Sequence, residues 1–442
     1  MEYDFPKYTE LFLIKLNHII VLSGKYRGGN NTMKNKETLW SKNFTIITIG
    51  TVISAIGGVA MNVALSLVVF DNTSSTWMTG LFTASSMLPT VILPILLGPY
   101  IDSHKRKTII FSLDGIMGII YILFASYVVV KGFDYITYMI FGIITGAIGS
   151  IYSTAYSALY PELIPKGFMQ KGYSISSIIY PTVTVFISPI SAILYQNYGI
   201  HLLLFAEGIL LLITSGFEML ISIDETSLLL NNSFNLKSYF SQIFEALKYL
   251  KEEKGVQGLY GYMAITNGMG NGVNLMIMTY FQSSSFLTTA MYSLLISAET
   301  LGRMLGGIIH YIIKIPTNKR YKIAELVYKI YNILDATLLF LPYIGMLISR
   351  FICGFLGVNS ATLREVAVQS YIPSSMRARI SSLLTVSIQF GVMVSQLLAG
   401  ALGEVLSYRL VAVIFSLIGM LCVYLLIVRN KKSIQPLFEA NN

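Results

Sequence analysis

The chain has 442 residues, of which 54% are hydrophobic and only 12% charged, with a mean hydropathy of +0.65, two cysteines and a net charge of +9. A soluble chain of this length carries about a quarter charged residues, and disordered, collagen-like or disulfide-stapled chains need other compositions. This one is expected to live in lipid. Cys353 and Cys422 each lie alone in an apolar segment, a pattern that suggests no redox work.

In chain order, residues 1–43 form an N-terminal cytoplasmic segment. Its apolar run from Leu11 to Leu22 is too short to span and is broken by Lys15 and Asn17. Met33, followed by Lys34-Asn35-Lys36, reads as a natural start, so residues 1–32 are expected to be an upstream mis-start or a peripheral flap. A spanning helix needs about 20 mostly apolar residues, because lipid offers no partner to an open backbone amide. Twelve stretches qualify: 44–70, 77–101, 108–130, 133–160, 172–196, 199–223, 256–281, 286–313, 323–341, 343–363, 378–403 and 408–428. They form an N-terminal six-helix half, 44–223, and a C-terminal one, 256–430, followed by a cytoplasmic tail, 431–442. Between the halves, 224–255 carries Phe240, Ile243, Phe244, Leu247 and Leu250 at helical spacing opposite Lys248, Lys251 and Lys254, the pattern of an amphipathic linker helix on the membrane surface.

Basic residues accumulate in short cytoplasmic loops. With the N-terminus inside, 22 Lys and Arg fall on the cytoplasmic side and two, Lys131 and Arg409, on the other. Both termini are therefore expected in the cytoplasm of a multi-pass cell-membrane protein, and the positive charge needs no nucleic-acid partner. Shifting the chain by 208 residues lays Gly146 on Gly354, Gly149 on Gly357, Thr154 on Thr362 and Pro165 on Pro373. Matches at helix-packing glycines and at the loop proline argue for two pseudo-symmetric halves, an architecture of secondary transporters.

The loop between spans two and three reads Gly98-Pro99-Tyr100-Ile101-Asp102-Ser103-His104-Lys105-Arg106-Lys107. Here the chain resembles the major facilitator superfamily, with Gly98, Asp102, Arg106 and Lys107 at the signature positions and Ser103 and Lys105 departing from it. The resemblance implies an all-α fold of twelve transmembrane helices and a cytoplasmic gating loop. The run from Thr154 to Pro165, with the degenerate loop from Gly302 through Lys319, Arg320 and Lys322, is similar to the drug-efflux branch that includes the macrolide exporters. Proton antiporters of the superfamily often place an arginine in helix four, and 133–160 has no basic residue.

Charges inside spans are costly, so each needs a reason. Glu299 and Arg303, four residues apart, can pair, as can Glu325 and Lys329. Asp335 and Arg350 flank Pro342 at similar depth and are expected to bridge helices nine and ten. Asp114, Glu207 and Glu218 have no basic residue three or four positions away. Asp114 and Glu207 are the proton-coupling candidates, while Glu218 is expected to be solvated near the inner interface. Asn267, Asn271 and Asn274 share one helical face and, with Asn62, either line a wet cavity or bond neighbouring helices; Tyr260, Tyr280 and Phe281 are candidates for an amphipathic wall.

No phosphate-binding loop or His-Glu-x-x-His pair occurs, which argues against an ATPase engine or a metalloprotease and for a non-enzyme without cofactor. The expected function is export of an amphipathic small molecule in exchange for protons, by a protein expected to be monomeric. Uptake, or a non-transporting sensor on the same fold, is the alternative.

Overall fold

The computed structural model describes residues 38–102, 104–223, 225, 236–312 and 315–439. The expected segment 1–32 and the first part of the linker, 226–235, lie outside these residues. All twelve expected spans are helices: α1 Lys42–Thr73, α2 Thr76–Asp102, α3 Arg106–Lys131, α4 Tyr135–Leu163, α5 Met169–Tyr198 and α6 Ile200–Met219, then α8 Lys254–Gln282, α9 Thr289–Ile312, α10 Thr317–Thr337, α11 Tyr343–Tyr371, α12 Ser374–Val405 and α13 Tyr408–Cys422. The linker helix α7, Leu236–Glu252, joins the two sets, and α14, Lys431–Glu439, follows a wider-wound turn at Val423–Val428.

Local chemistry sets the helix ends. Ser41, Asp134 and Ser407 cap α1, α4 and α13 by accepting from backbone amides in the first turn. Gly199 alone separates α5 from α6; its φ of 76° is a left-handed turn that a β-carbon would strain. Eight of the helices are long and apolar enough to cross a membrane by length and composition. Among the four others, α8 spends its apolarity on three asparagines, and α9 and α10 carry Glu299, Arg303, Glu325, Lys329 and Asp335.

Within the first six helices, α3 packs on α6, α2 on α4, and α1 on α5 and α6; in the second set α9 packs on α11, α8 on α12 and α13, and α10 on α13. The two sets meet where α2 lies against α12 and α5 against α9. At the end of the bundle away from α14, hydrogen bonds tie them together. Glu404 Oε1 accepts from Ser75 Oγ at 2.5 Å and from the Trp77 amide at 2.9 Å. Gln282 Nε2 donates to Asp71 Oδ1 at 2.6 Å, and Gln196 donates to Thr289. The apolar core of the second set takes in Val63, Leu67 and Phe70 of α1 at this same end.

The repeat glycines divide into two kinds. A β-carbon at Gly146 would overlap the Ser86 carbonyl, and one at Gly354 the Glu299 carbonyl, so each lets α4 or α11 approach α2 or α9 backbone to backbone. Gly149 and Gly357, also expected to be packing positions, have open space or only ordinary contact beyond them. Both instead line cavities, Gly149 in the first half and Gly357 in the second.

Two elements outside the twelve spans differ from expectation. On α7, Phe244 and Leu247 stand exposed, and Ala246, Tyr249 and Leu250 are the residues packed on the second-half core. The amphipathic face is thus turned partly off the protein. The tail is a docked helix: Ile434, Leu437 and Phe438 of α14 are buried in the core that α8, α10 and α11 build, and Gly255 leaves room for the Ser433 carbonyl.

Because backbone cannot yield, Gly146→Ala and Gly354→Ala are each expected to lower stability by about 1–3 kcal/mol. Gly149→Ala should be near neutral. Thermal unfolding of the purified protein in detergent reads the difference, and equal losses at Gly146 and Gly149 would contradict the assignment.

Candidate functional site

A central cavity of about 840 Å³ opens among α1–α6, with α8, α9 and α12 closing one side. Asp114 of α3 and Glu207 of α6 line it together. They are 2% and 5% exposed, and Asp114 Oδ2 and Glu207 Oε2 accept no hydrogen bond among the described residues. Glu207 fits because α1 carries Gly57 opposite, where a β-carbon would overlap its carboxylate.

Glu218 departs from expectation: it is fully buried and accepts a hydrogen bond from Tyr152 Oη at 2.8 Å. Helix α6 ends one residue later, and the following segment folds back over it, with Ile221 buried and the Ser222 amide donating to Asn43 Oδ1 at 3.0 Å. That cover removes the solvent the residue was expected to meet. Tyr152 itself lines the cavity, so Glu218 sits one hydroxyl behind its wall.

The asparagine face is divided between two spaces. Asn62, Asn271 and Asn274 line the central cavity. Asn267 lines a separate space of about 280 Å³ in the second half, shared with Asn271 and Asn274. Asn267 and Asn271 each donate to the carbonyl four residues earlier, which spends their amide nitrogens within α8 and leaves their oxygens for the cavities. The expected aromatic wall of Tyr260, Tyr280 and Phe281 is absent from these linings. Tyr260 and Phe281 are buried in the core, and Tyr280 accepts from Arg409 at 2.7 Å at the far end. The wall is made instead by Tyr121, Tyr152, Tyr156, Tyr180 and Phe82, with Tyr292 from α9. Their shared face was hard to read because five different helices contribute it.

In the second half the acids are paired. Glu299 meets Arg303 at 2.5 Å on its own helix and Arg350 of α11 at 3.3 Å, and Arg350 meets Asp335 of α10 at 3.4 Å. The four residues thus form one chain across three helices; the link between Glu299 and Arg350 was not anticipated from spacing. Lys329 and Glu325 pair at 2.5 Å.

At the loop expected to gate, Gly98 and Asp102 fall in the last turn of α2, and their surroundings, with Ser103, lie outside the described residues. Arg106 pairs with Glu162 of α4 at 2.6 Å and donates to the Ala158 carbonyl. The amides of Arg106 and Lys107 donate to Glu225 at 2.9 and 3.2 Å. An acid from the linker, 119 residues further on, thus meets the N-terminus of α3.

The fold can be compared with known proteins. The Major Facilitator Superfamily pattern matches residues 47–324 and 333–440, and the chain belongs to that family. Its members are transporters, and this chain is a multi-pass membrane transporter rather than an enzyme. No curated protein sequence matches it. Among solved structures it is similar to the nucleoside transporter NupG, with 13% identity, a TM-score of 0.67, and coverage of 91% of this chain and 100% of that one. It is similar to a POT family transporter solved with 5-aminolevulinic acid, at 12% identity, a TM-score of 0.68, and coverage of 89% and 96%. A bacterial homolog of the human lysosomal transporter Spinster, in an inward-facing and unoccupied conformation, matches at 13% identity and a TM-score of 0.58, over 90% and 96%. At such identities the likeness establishes the shared fold.

Removing one member of a buried ion network strands its partners in low dielectric. Arg350→Leu, which leaves both Glu299 and Asp335 without it, is expected to cost about 3–5 kcal/mol in stability. The double variant D335N/R350L should recover most of that loss in detergent unfolding, because Glu299 keeps Arg303 and the carboxylate left without a partner is gone. A loss in R350L that the double variant does not relieve would refute the network.

Proposed function

We propose that the protein exports an amphipathic small organic compound, drug- or macrolide-like, across the cell membrane in exchange for protons. The observation that carries this reading is that Asp114 and Glu207 line one cavity with no cation among its described lining residues. Carboxylates so placed gain when a proton or a positively charged group arrives, which is the requirement for a coupling site. Efflux is favoured by the likeness of Thr154–Pro165 to the exporter branch.

With both termini cytoplasmic, as the charge asymmetry argues, the end joined by Glu404, Gln282 and Gln196 is the outer one. The arrangement is then closed outward, and the cavity would be loaded from the cytoplasm or inner leaflet. Opening outward requires α2 to part from α12 and α5 from α9, while Gly98, Asp102, Arg106 and Lys107 close the cytoplasmic side. Arg106 is held by Glu162 within its own half, so the loop would travel with that half as a unit. Protein monomer, lipid bilayer, substrate and protons suffice for this cycle.

Everted membrane vesicles energised by a pH gradient, acid inside, test it. A fluorescent amphiphile from a screened panel is expected to accumulate in the lumen. Accumulation should fall at least tenfold in Asp114→Asn or Glu207→Gln vesicles with equal protein. Gradient-independent accumulation, or accumulation only in right-side-out vesicles, would overturn the export reading.

A further inference from the structure

We infer that the central cavity is a binding site for organic cations, in which Glu207 is the charge-selecting residue and Asp114 its partner. The inference rests on that cavity being the transport site, and it adds the class of compound.

Four observations carry it. First, no Lys, Arg or His occurs among the described residues that line the cavity, whereas in the second half Glu299 and Asp335 each lie against an arginine. The contrast matters because both sets of acids are buried: one has its neutralising charge built in, and the other awaits it. Second, Glu207 is nine-tenths or more buried, leaves Oε2 without a partner among the described residues, and lines the cavity. A niche has been made for its carboxylate by glycine at position 57.

Third, the walls suit a cation with apolar bulk. Tyr121, Tyr152, Tyr156, Tyr180 and Phe82 present rings around the acids, and ring faces attract ammonium groups while packing against hydrocarbon. Fourth, the volume of about 840 Å³ is that of a site for a drug-sized molecule. An anion there would face two carboxylates with no compensating charge. An uncharged ligand would strip their water and return no charge to them. A protonated amine or quaternary ammonium brings the charge that the two carboxylates of the lining lack.

The groups facing Glu207 and Asp114 from each packed element bear on how pH acts. From α1 come Gly57, Thr51, Ser54 and Asn62, none titratable; α4 offers Tyr152 and Tyr156, α5 offers Tyr180, α3 adds Tyr121, and α6 adds Glu218 behind Tyr152. With no basic side chain in that set, protons and the ligand cation are rivals for the same oxygens.

The full-length protein in lipid nanodiscs tests this with three probes of matched shape: tetraphenylphosphonium, its anionic counterpart tetraphenylborate, and neutral triphenylphosphine oxide. The expected result is saturable binding of tetraphenylphosphonium that exceeds that of both others by at least tenfold. It should weaken at least tenfold in Glu207→Gln and further in the double variant with Asp114→Asn. Binding to the wild type should also weaken as pH falls, although the probe's own charge is fixed; this arm stands even where a variant fails to fold. No saturable binding of tetraphenylphosphonium, equal or tighter binding of the neutral or anionic probe, undiminished binding in the folded double variant, or binding independent of pH would each overturn the assignment. The assay uses no gradient. Failure of binding leaves the export reading to its vesicle test, and failure of export with intact cation binding leaves this assignment standing.

Discussion

An ionised side chain between membrane helices persists only where a counter-charge, a proton or water meets it, and the two halves of this transporter answer that demand differently. In the second half the answer is internal. Arg350 lies between Glu299 and Asp335, and Arg303 takes the other oxygen of Glu299, so three helices are stitched by charges that cancel. Around the first-half cavity no such partner occurs among the described lining residues. Asp114 and Glu207 look into the cavity, Glu218 stands behind Tyr152, and the electrostatic balance is left to whatever enters.

That division has a mechanical side. A half whose ions are paired can hold one shape regardless of what is bound. A half with open carboxylates changes its energy with each proton or cation that arrives, which is how a ligand biases a two-state equilibrium. The contact surface between them lies mainly at two places, α2 on α12 and α5 on α9. On the first, Gly80 and Gly400 bring backbones close, while Glu404 grips the start of α2. The symmetric glycines serve both needs: Gly146 and Gly354 pack each half tightly, and Gly149 and Gly357 keep its cavity open.

Much of this was legible in the sequence. Long apolar runs of this kind mark lipid crossings, so twelve helices could be placed, with ends up to eight residues from those observed, as at 363 against Tyr371, and the lone carboxylates at 114 and 207 stood out because a charge there needs a use. The asparagine face of α8 followed from helical periodicity. What was hidden depends on how helices are rotated and on contacts distant in the chain. Nothing local to Glu225 says that it caps α3, and nothing local to Glu299 says that it reaches Arg350. Glu218 was misread as solvated because the covering turn, 220–223, is visible only once Asn43 is seen to bind Ser222. The aromatic wall was sought on α8 and found on α2 to α5 and α9, since tyrosines are too common in this chain for position alone to sort them.

The central claim is that Asp114 and Glu207 carry either protons or a ligand cation, but not both. Adding tetraphenylphosphonium to the purified protein in weakly buffered solution, with a pH electrode or dye as the readout, addresses it most directly. The account predicts that saturating cation releases protons at a pH where the site begins protonated, and that the release disappears in the Asp114→Asn, Glu207→Gln double variant. Saturable binding of the cation to the wild type with no proton release across the accessible pH range would contradict it.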